Sequence, residues 1–538
     1  MQQPALKNLP IGVQLFENLI ERNYIYVDKT KHVYRLVSHG QYYFLSRPRR
    51  FGKSLLVSTF QALFEGKRDL FKGLWIVDSS DYAWPTYPVI CIDFSVIDCT
   101  STEEFKIGFL LALKRSAFLN DIAIDPTITS PQNFLVELVV QLASRSKKVV
   151  VLIDEYDRPI LEHIVNPEVR DPLHVILKNF YTALKGVSGH IHFLFITGVS
   201  KFSKTSLFSG FNNLLDISVS ESTATIVGYT EEELYTHFDG WIVHTAAKLQ
   251  QPVSVVKDQV RAWYDGYRFS DNPTRLYNPF SILTFFWNAK FSDYWFSSGT
   301  PTFLMRLLKK GDWPLSDLEN IVVPDINFPA YDIDNQELVP LMFQTGYLTV
   351  KDHQNAPQRY TLSYPNIEVR TAFFTHFIKT ATGLGGDKVY GFQQGILHAL
   401  EAGNTEKFIA TLRVFFAGIP YEIQPGSDAS GPSESYYQSL FFALLRGAGM
   451  HVHAEVRTNQ GRIDLTVETK NYVYIIECKI NASCAIALEQ IYAKKYYEPY
   501  LQAGKQIVLM GLVFDTKARA LGECLVEMLT SGEPKGYL

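Results

Sequence analysis

Cysteine is scarce in this chain of 538 residues: there are five, Cys91, Cys99, Cys478, Cys484 and Cys524, and none forms a CxxC pair. An odd number of scattered thiols speaks for reduced cysteines in a cytosolic compartment, and against a disulfide-stapled secreted fold or a structural zinc cluster. Long apolar runs are missing too. No stretch approaches the ~18 residues of a membrane span, and the N-terminal MQQPALKNLPIG has no basic segment followed by an apolar one, so a soluble cytoplasmic protein without a membrane partner is expected. Nor does charge of one sign dominate: a net charge of −4 and a pI near 6.4 give no overall basic field, so nucleic-acid binding would rest on a local patch. Internal repeats and low-complexity tracts are absent as well.

What is present is apolar material in quantity. With 46% hydrophobic residues, 30 Tyr and 37 Phe, the chain can bury more than one core, and its length suggests roughly two to four domains. In the first part, short apolar runs alternate with helical patterns. YYFLS (42–46), PVICIDFSV (88–96), KKVVVLIDEY (147–156), IHFLFITGVS (191–200) and LLDISVS (214–220) read as buried strands, and about 102–119 and 132–144 read as helices. That alternation predicts an α/β fold, a parallel sheet covered by helices on both faces, over residues 1–224. Residues 225–395 read as a mostly helical middle or lid region with a few small strands, ending near the linker candidate TGLGGDK (382–388). Residues 405–538 then run helix, helix, three strands, helix, strand.

The first candidate site is FLSRPRRFGKSLL (44–56). A full phosphate loop reads GxxxxGK[ST]; here Arg47 stands at the first glycine position, followed by Pro48, Arg49 and Arg50. Gly52, Lys53 and Ser54 at a strand-to-helix junction still supply close backbone approach, an amine for the β/γ-phosphates and a hydroxyl for Mg²⁺. About a hundred residues downstream, VVVLIDEYD ends a strand with Asp154, placed to hold Mg²⁺, and Glu155, placed to polarise the attacking water. The next strand ends in Thr197 and Ser200 with Lys201 and Lys204 nearby; Thr197 is the candidate sensor of the γ-phosphate. ATP and Mg²⁺ are the cofactors this pattern calls for. Arg49 and Arg50 face either phosphate or a partner surface, and Arg158, Arg261 and Arg268 are the arginine-finger candidates.

Taken together, LPIGVQLFENLIERNYIYVDKT, FLSRPRRFGKSLL, VVVLIDEYDRPI, ITGVSKFSKTSLFSGFNNL, GYTEEEL, WYDGYRFS and LYNPFSIL resemble the AAA-ATPase-like family of P-loop proteins over about residues 8–285. The resemblance implies a P-loop NTPase sheet with Arg50, Gly52, Lys53, Ser54, Asp154 and Thr197 around the nucleotide, and makes the RPRRFGKS loop a family trait. It also implies a nuclease-like domain at the C-terminus.

The second candidate site lies in GRIDLTVETKNYVYIIECKI, where Asp464 precedes Glu477-Cys478-Lys479 by thirteen residues. Residues two apart on a strand share a face, so Glu477 and Lys479 point one way and Cys478 the other, and a hairpin brings Asp464 beside Glu477. Two carboxylates with a lysine suit a hard divalent cation, Mg²⁺ or Mn²⁺, and an amine that orients water or stabilises phosphoryl charge. Over about 405–538 the arrangement resembles the PD-(D/E)xK nuclease superfamily, which implies an αβββαβ domain, Glu434 as an auxiliary metal-binding acid and Gln490 as a supporting helix residue. His451 and His453 form an HxH pair that reads as an edge-strand feature, and Lys494, Lys495, Tyr496 and Tyr497 read as a solvated helix face.

Two functions are therefore expected. One is an ATP-driven, metal-dependent nuclease that cuts DNA or RNA; the other is a nucleotide-gated binding or scaffold protein whose C-terminal domain grips nucleic acid or protein without cutting. Homo-oligomerisation is open in both.

Overall fold

The strands of the first sheet form where β-branched and aromatic residues run without interruption. The computed structural model describes residues 6–145, 148–201, 207, 213–297, 304–305, 315–324, 338–355, 358–420, 434–457 and 461–529. The first sheet contains β1 (Tyr42–Ser46), β2 (Val89–Asp93), β3 (Val149–Asp154), β4 (Ile191–Gly198) and β5 (Leu215–Asp216), in the order β2-β3-β4-β1-β5 and parallel throughout. Every residue of β3 is buried, so helices cover both faces, as a parallel sheet requires. β4 lies between β1 and β3, which brings the loop after β1 and the acidic end of β3 to the same edge of the sheet.

The chain divides into two compact units, residues 1–303 with 321–366 and residues 304–320 with 367–538. The middle region does not stand apart: residues 225–303 join the first unit because Leu9, Ile25 and Val27 share one apolar cluster with Phe238, Tyr264 and Phe285. The same unit holds a small antiparallel sheet of β6 (Ile321–Pro324), β8 (Gln358–Ser363) and β7 (Thr349–Asn355), in that order. Residues 382–388 are no linker. Only a short turn separates the helices Ile367–Thr382 and Gly386–Glu401 of the second unit.

The second unit is built on a mixed sheet, β13-β12-β11-β10-β9, of β9 (His451–Arg457), β10 (Arg462–Glu468), β11 (Tyr472–Ile480), β12 (Gln506–Asp515) and β13 (Ala520–Met528). β11 and β12 run parallel and the other pairs antiparallel. The helix Cys484–Ala493 makes the crossover between the parallel pair and packs Leu488 and Ile491 on Val473, Ile475 and Leu509.

Candidate functional sites

The loop after β1 is shaped by side chains that turn inward. Arg47 is 1% exposed and donates from Nη1 to the carbonyls of Ser46 (2.9 Å) and Ser218 (2.6 Å), with its guanidinium 4.6 Å from the centre of the Phe269 ring. Its Nε and Nη2 have no hydrogen-bond partner among the described residues, and burial pushes its pKa down to about 10. Arg47 thus anchors the loop where the usual motif has a flexible glycine. Arg50 (φ 65°) and Gly52 (φ 96°) both adopt the left-handed conformation, and between them Phe51 is fully buried edge-on against Tyr267 and Phe269. Donors from the helical region hold the loop from outside: Gly228 N–H reaches the Phe51 carbonyl (3.1 Å), while Asn278 Nδ2 (3.4 Å) and Trp295 Nε1 (3.0 Å) reach that of Arg49.

Lys53 opens the helix Lys53–Phe64 and is almost wholly buried. Its ammonium donates to the Arg47 and Pro48 carbonyls, each at 3.0 Å; burial lowers its pKa against the opposing pull of Glu155, Asp154 and Asp157. Burial raises the Asp154 carboxyl pKa to about 6, against the lowering influence of the Ser54 hydroxyl. Glu155 follows with φ 51°, its N–H donating to Asp154 Oδ1 (2.9 Å). A cavity of about 470 Å³, large enough for a nucleotide, is lined by Arg50, Gly52, Lys53, Ser54 and Glu155.

Thr197 is fully buried and its hydroxyl donates to the Leu45 carbonyl of β1 (2.8 Å), so it links two strands instead of facing the cavity. Lys204 lies outside the described residues, and Lys201 pairs with Asp216. Of the three finger candidates, Arg158 lines the cavity, held by Glu162 (2.7 Å) and the Phe94 carbonyl (3.1 Å). Arg261 pairs with Glu231, and Arg268 closes a turn through the carbonyls of Ser270, Asp271 and Asn272. Two residues that the sequence reading passed over belong to this site. Lys29 lines the cavity and is gripped by both oxygens of Glu233 (2.5 and 2.7 Å), and Asp157 reaches from the end of β3 to the end of β4.

In the second unit, Asp464 and Glu477 meet across β10 and β11. The Cys478 N–H donates to Asp464 Oδ2 (2.9 Å). Lys479 Nζ lies 2.8 Å from Glu477 Oε1, and Cys478 points into the core. Burial raises both carboxyl pKa values, that of Glu477 to about 7 with the Asp464 charge as second cause. Glu477 is 0% exposed and its Oε2 has no hydrogen-bond partner among the described residues. A buried, unpartnered carboxylate oxygen beside a second carboxylate is a donor set that fits a divalent cation. Among the described residues no group of three or more His, Cys, Asp or Glu side chains is placed to hold one; the Glu434 side chain lies outside those residues.

Gly511 of β12 stands in register with Glu477, and a Cβ there would lie 2.7 Å from the Cys484 carbonyl oxygen, so glycine lets the helix Cys484–Ala493 close on the sheet beside the site. Gln490 is half-buried on that helix. His451 and His453 are exposed on β9, the edge strand. Lys494 and Lys495 face solvent, whereas Tyr496 and Tyr497 pack in the core.

Comparison with known proteins finds a family match around each of the two sites. The family model for a predicted AAA-ATPase matches residues 10–208, and the PD-(D/E)XK nuclease superfamily model matches residues 432–524. An uncharacterized protein from the vnfD 5′ region of Azotobacter chroococcum mcd 1 is 37% identical over 536 residues, covering 97% of this chain and 99% of that protein.

Proposed function

Because the chain belongs to the AAA-ATPase-like family over residues 10–208 and to the PD-(D/E)XK nuclease superfamily over residues 432–524, we propose that it binds and hydrolyses ATP at one site and cuts DNA or RNA phosphodiester bonds at the other. In the first, Lys53 would exchange its loop carbonyls for the β/γ-phosphates, Arg50 and the Gly52 backbone would cradle them, and Ser54 and Asp154 are the residues that would hold Mg²⁺. Glu155 takes the proton of the attacking water.

In the second, Asp464 and Glu477, with Glu434 from its helix, are the residues that would hold Mg²⁺ or Mn²⁺. A cation there supplies Lewis-acid polarisation of the scissile phosphate. Lys479 pulls the Glu477 carboxyl toward its ionised form against the burial that raises its pKa, and its ammonium is the group that would stabilise charge developing on phosphoryl oxygens. The observation that carries this reading is the orphaned Glu477 Oε2, a buried acceptor with nothing in the described fold to satisfy it.

The test is cleavage of single- and double-stranded DNA and RNA with Mg²⁺ or Mn²⁺, with and without ATP, by wild type, Asp464→Ala and Lys53→Ala. Loss of cleavage in the first variant and of ATP hydrolysis in the second is the expected result. Cleavage that persists in Asp464→Ala removes the nuclease assignment. A wild type that binds nucleic acid and hydrolyses ATP without cutting makes the C-terminal domain a binding module.

A further inference from the structure

Asp157 sits where an aspartate would ordinarily cap the helix Arg158–Glu162, yet its side chain makes no cap bond. Instead the carboxylate crosses to the end of β4, where it accepts from Val199 N–H (3.1 Å), Ser200 N–H (2.6 Å) and Ser200 Oγ–H (2.7 Å). The residue is 1% exposed. Further bonds bind the same two strand ends: Tyr156 N–H donates to the Thr197 carbonyl (3.1 Å) and Tyr156 Oη–H to that of Ser200 (3.0 Å). Gly198, between them, has no room for a side chain, since a Cβ would fall 2.4 Å from Asp157 Oδ1. Burying a carboxylate this fully without a salt-bridge partner among the described residues is unfavourable, and capping the helix locally would have been the easier use of it.

The clamp acts on Glu155, two residues earlier, which lines the nucleotide cavity in a left-handed backbone conformation that a glutamate seldom adopts. With Asp157 fixed after it and Asp154 Oδ1 holding its N–H before it, the Glu155 turn is constrained from both sides. We propose that Asp157 is a positioning residue for nucleoside triphosphate hydrolysis: by tying the end of β3 to Val199 and Ser200 it holds the Glu155 carboxylate where it can orient the attacking water. The inference rests on the ATPase reading above and adds to it a residue that touches neither nucleotide nor water.

The experiment uses the full chain and measures kcat and KM for Mg-ATP, affinity for a fluorescent non-hydrolysable ATP analogue, and Tm, in wild type, D157N, S200A, E155Q and D157N/E155Q. Displacing a catalytic group by about 1 Å lowers a rate by ~10²-fold, so D157N is expected to lower kcat by about that factor while KM and analogue affinity hold within about twofold. S200A, which removes one of the bonds, is expected to lower kcat by about tenfold. Because Asp157 acts through Glu155, the double variant is expected to be no slower than E155Q alone. Unchanged kcat in folded D157N, or a loss confined to KM, or additive losses in the double variant, overturns the inference. Should D157N fail to fold, S200A decides by the same kcat-against-KM criterion. A wild type that binds the analogue but never hydrolyses ATP defeats the ATPase reading itself, an outcome distinct from a wild-type enzyme indifferent to D157N.

Discussion

Lys479 Nζ lies 2.8 Å from one oxygen of the Glu477 carboxylate, while the other oxygen of that carboxylate has no hydrogen-bond partner among the described residues. A half-satisfied buried acid of this kind destabilises the metal-free protein and prepares it for a cation.

That imbalance fixes a pH dependence. The Glu477 carboxyl rises from an ordinary 4.5 to about 7 in the folded protein, so the native state holds its proton more tightly than the unfolded chain does. Its contribution to stability is present in full below the unfolded value and is lost as pH rises through about 7. In EDTA, Glu477→Gln should gain stability over wild type between pH 5 and pH 8, by an amount of order 2 kcal/mol. With Mg²⁺ or Mn²⁺ the order should reverse at pH 8, because only the carboxylate gains from the metal. Paired thermal melts at the two pH values check both halves.

Lys53→Met should abolish the rise in Tm that saturating Mg-ATP gives wild type, which corresponds to ~2.7 kcal/mol at a hundredfold excess over Kd. Hydrolysis should fall by at least ~10²-fold. Calorimetric melts and phosphate release on the same preparation read the two effects.

The buried Arg47 guanidinium should resist replacement. Arg47→Ala leaves a void over Phe269 and an unpaired Ser218 carbonyl, and should lower stability by about 2–4 kcal/mol. Arg47→Lys should recover little of it, because an ammonium is more strongly hydrated and has no planar group to stack on the Phe269 ring. Urea unfolding of the three proteins measures the ranking.

Gly511→Ala should press the new methyl against the Cys484 carbonyl and push the helix Cys484–Ala493 off β12. A loss of about 1–3 kcal/mol is expected, with a smaller metal-induced shift in Tm because the strand bearing Glu477 is disturbed. The same melts with and without Mn²⁺ test it.

Much of this was legible in the residues. Unbroken runs such as Val149–Asp154 could only be interior strands, and one strand leading through a loop to Gly52-Lys53-Ser54 with another ending at Asp154 described one edge of one sheet. The spacing of Asp464 and Glu477 sufficed for their meeting because a hairpin is a local object. Where the reading stopped, the decisive partner was distant or the pattern weak. Asp157 shows its use only through Val199 and Ser200, more than forty positions away, and Thr197 only through the carbonyl of Leu45. LLDISVS kept two residues in the sheet because Asp216 accepts from the Ser218 N–H and turns the chain. Strand Ala520–Met528 escapes the pattern because it lies at an edge, where exposed Glu523 and half-exposed Glu527 dilute its apolar character.

The donors that reach the phosphate-loop carbonyls from Gly228, Asn278 and Trp295 set a lower limit on any working fragment. A polypeptide trimmed after residue 208, where the matched family segment stops, would strip Leu9, Ile25 and Val27 of Phe238, Tyr264 and Phe285 and leave the Arg49 and Phe51 carbonyls to water. The shortest piece of this chain that keeps all three of these loop contacts therefore extends at least through Trp295.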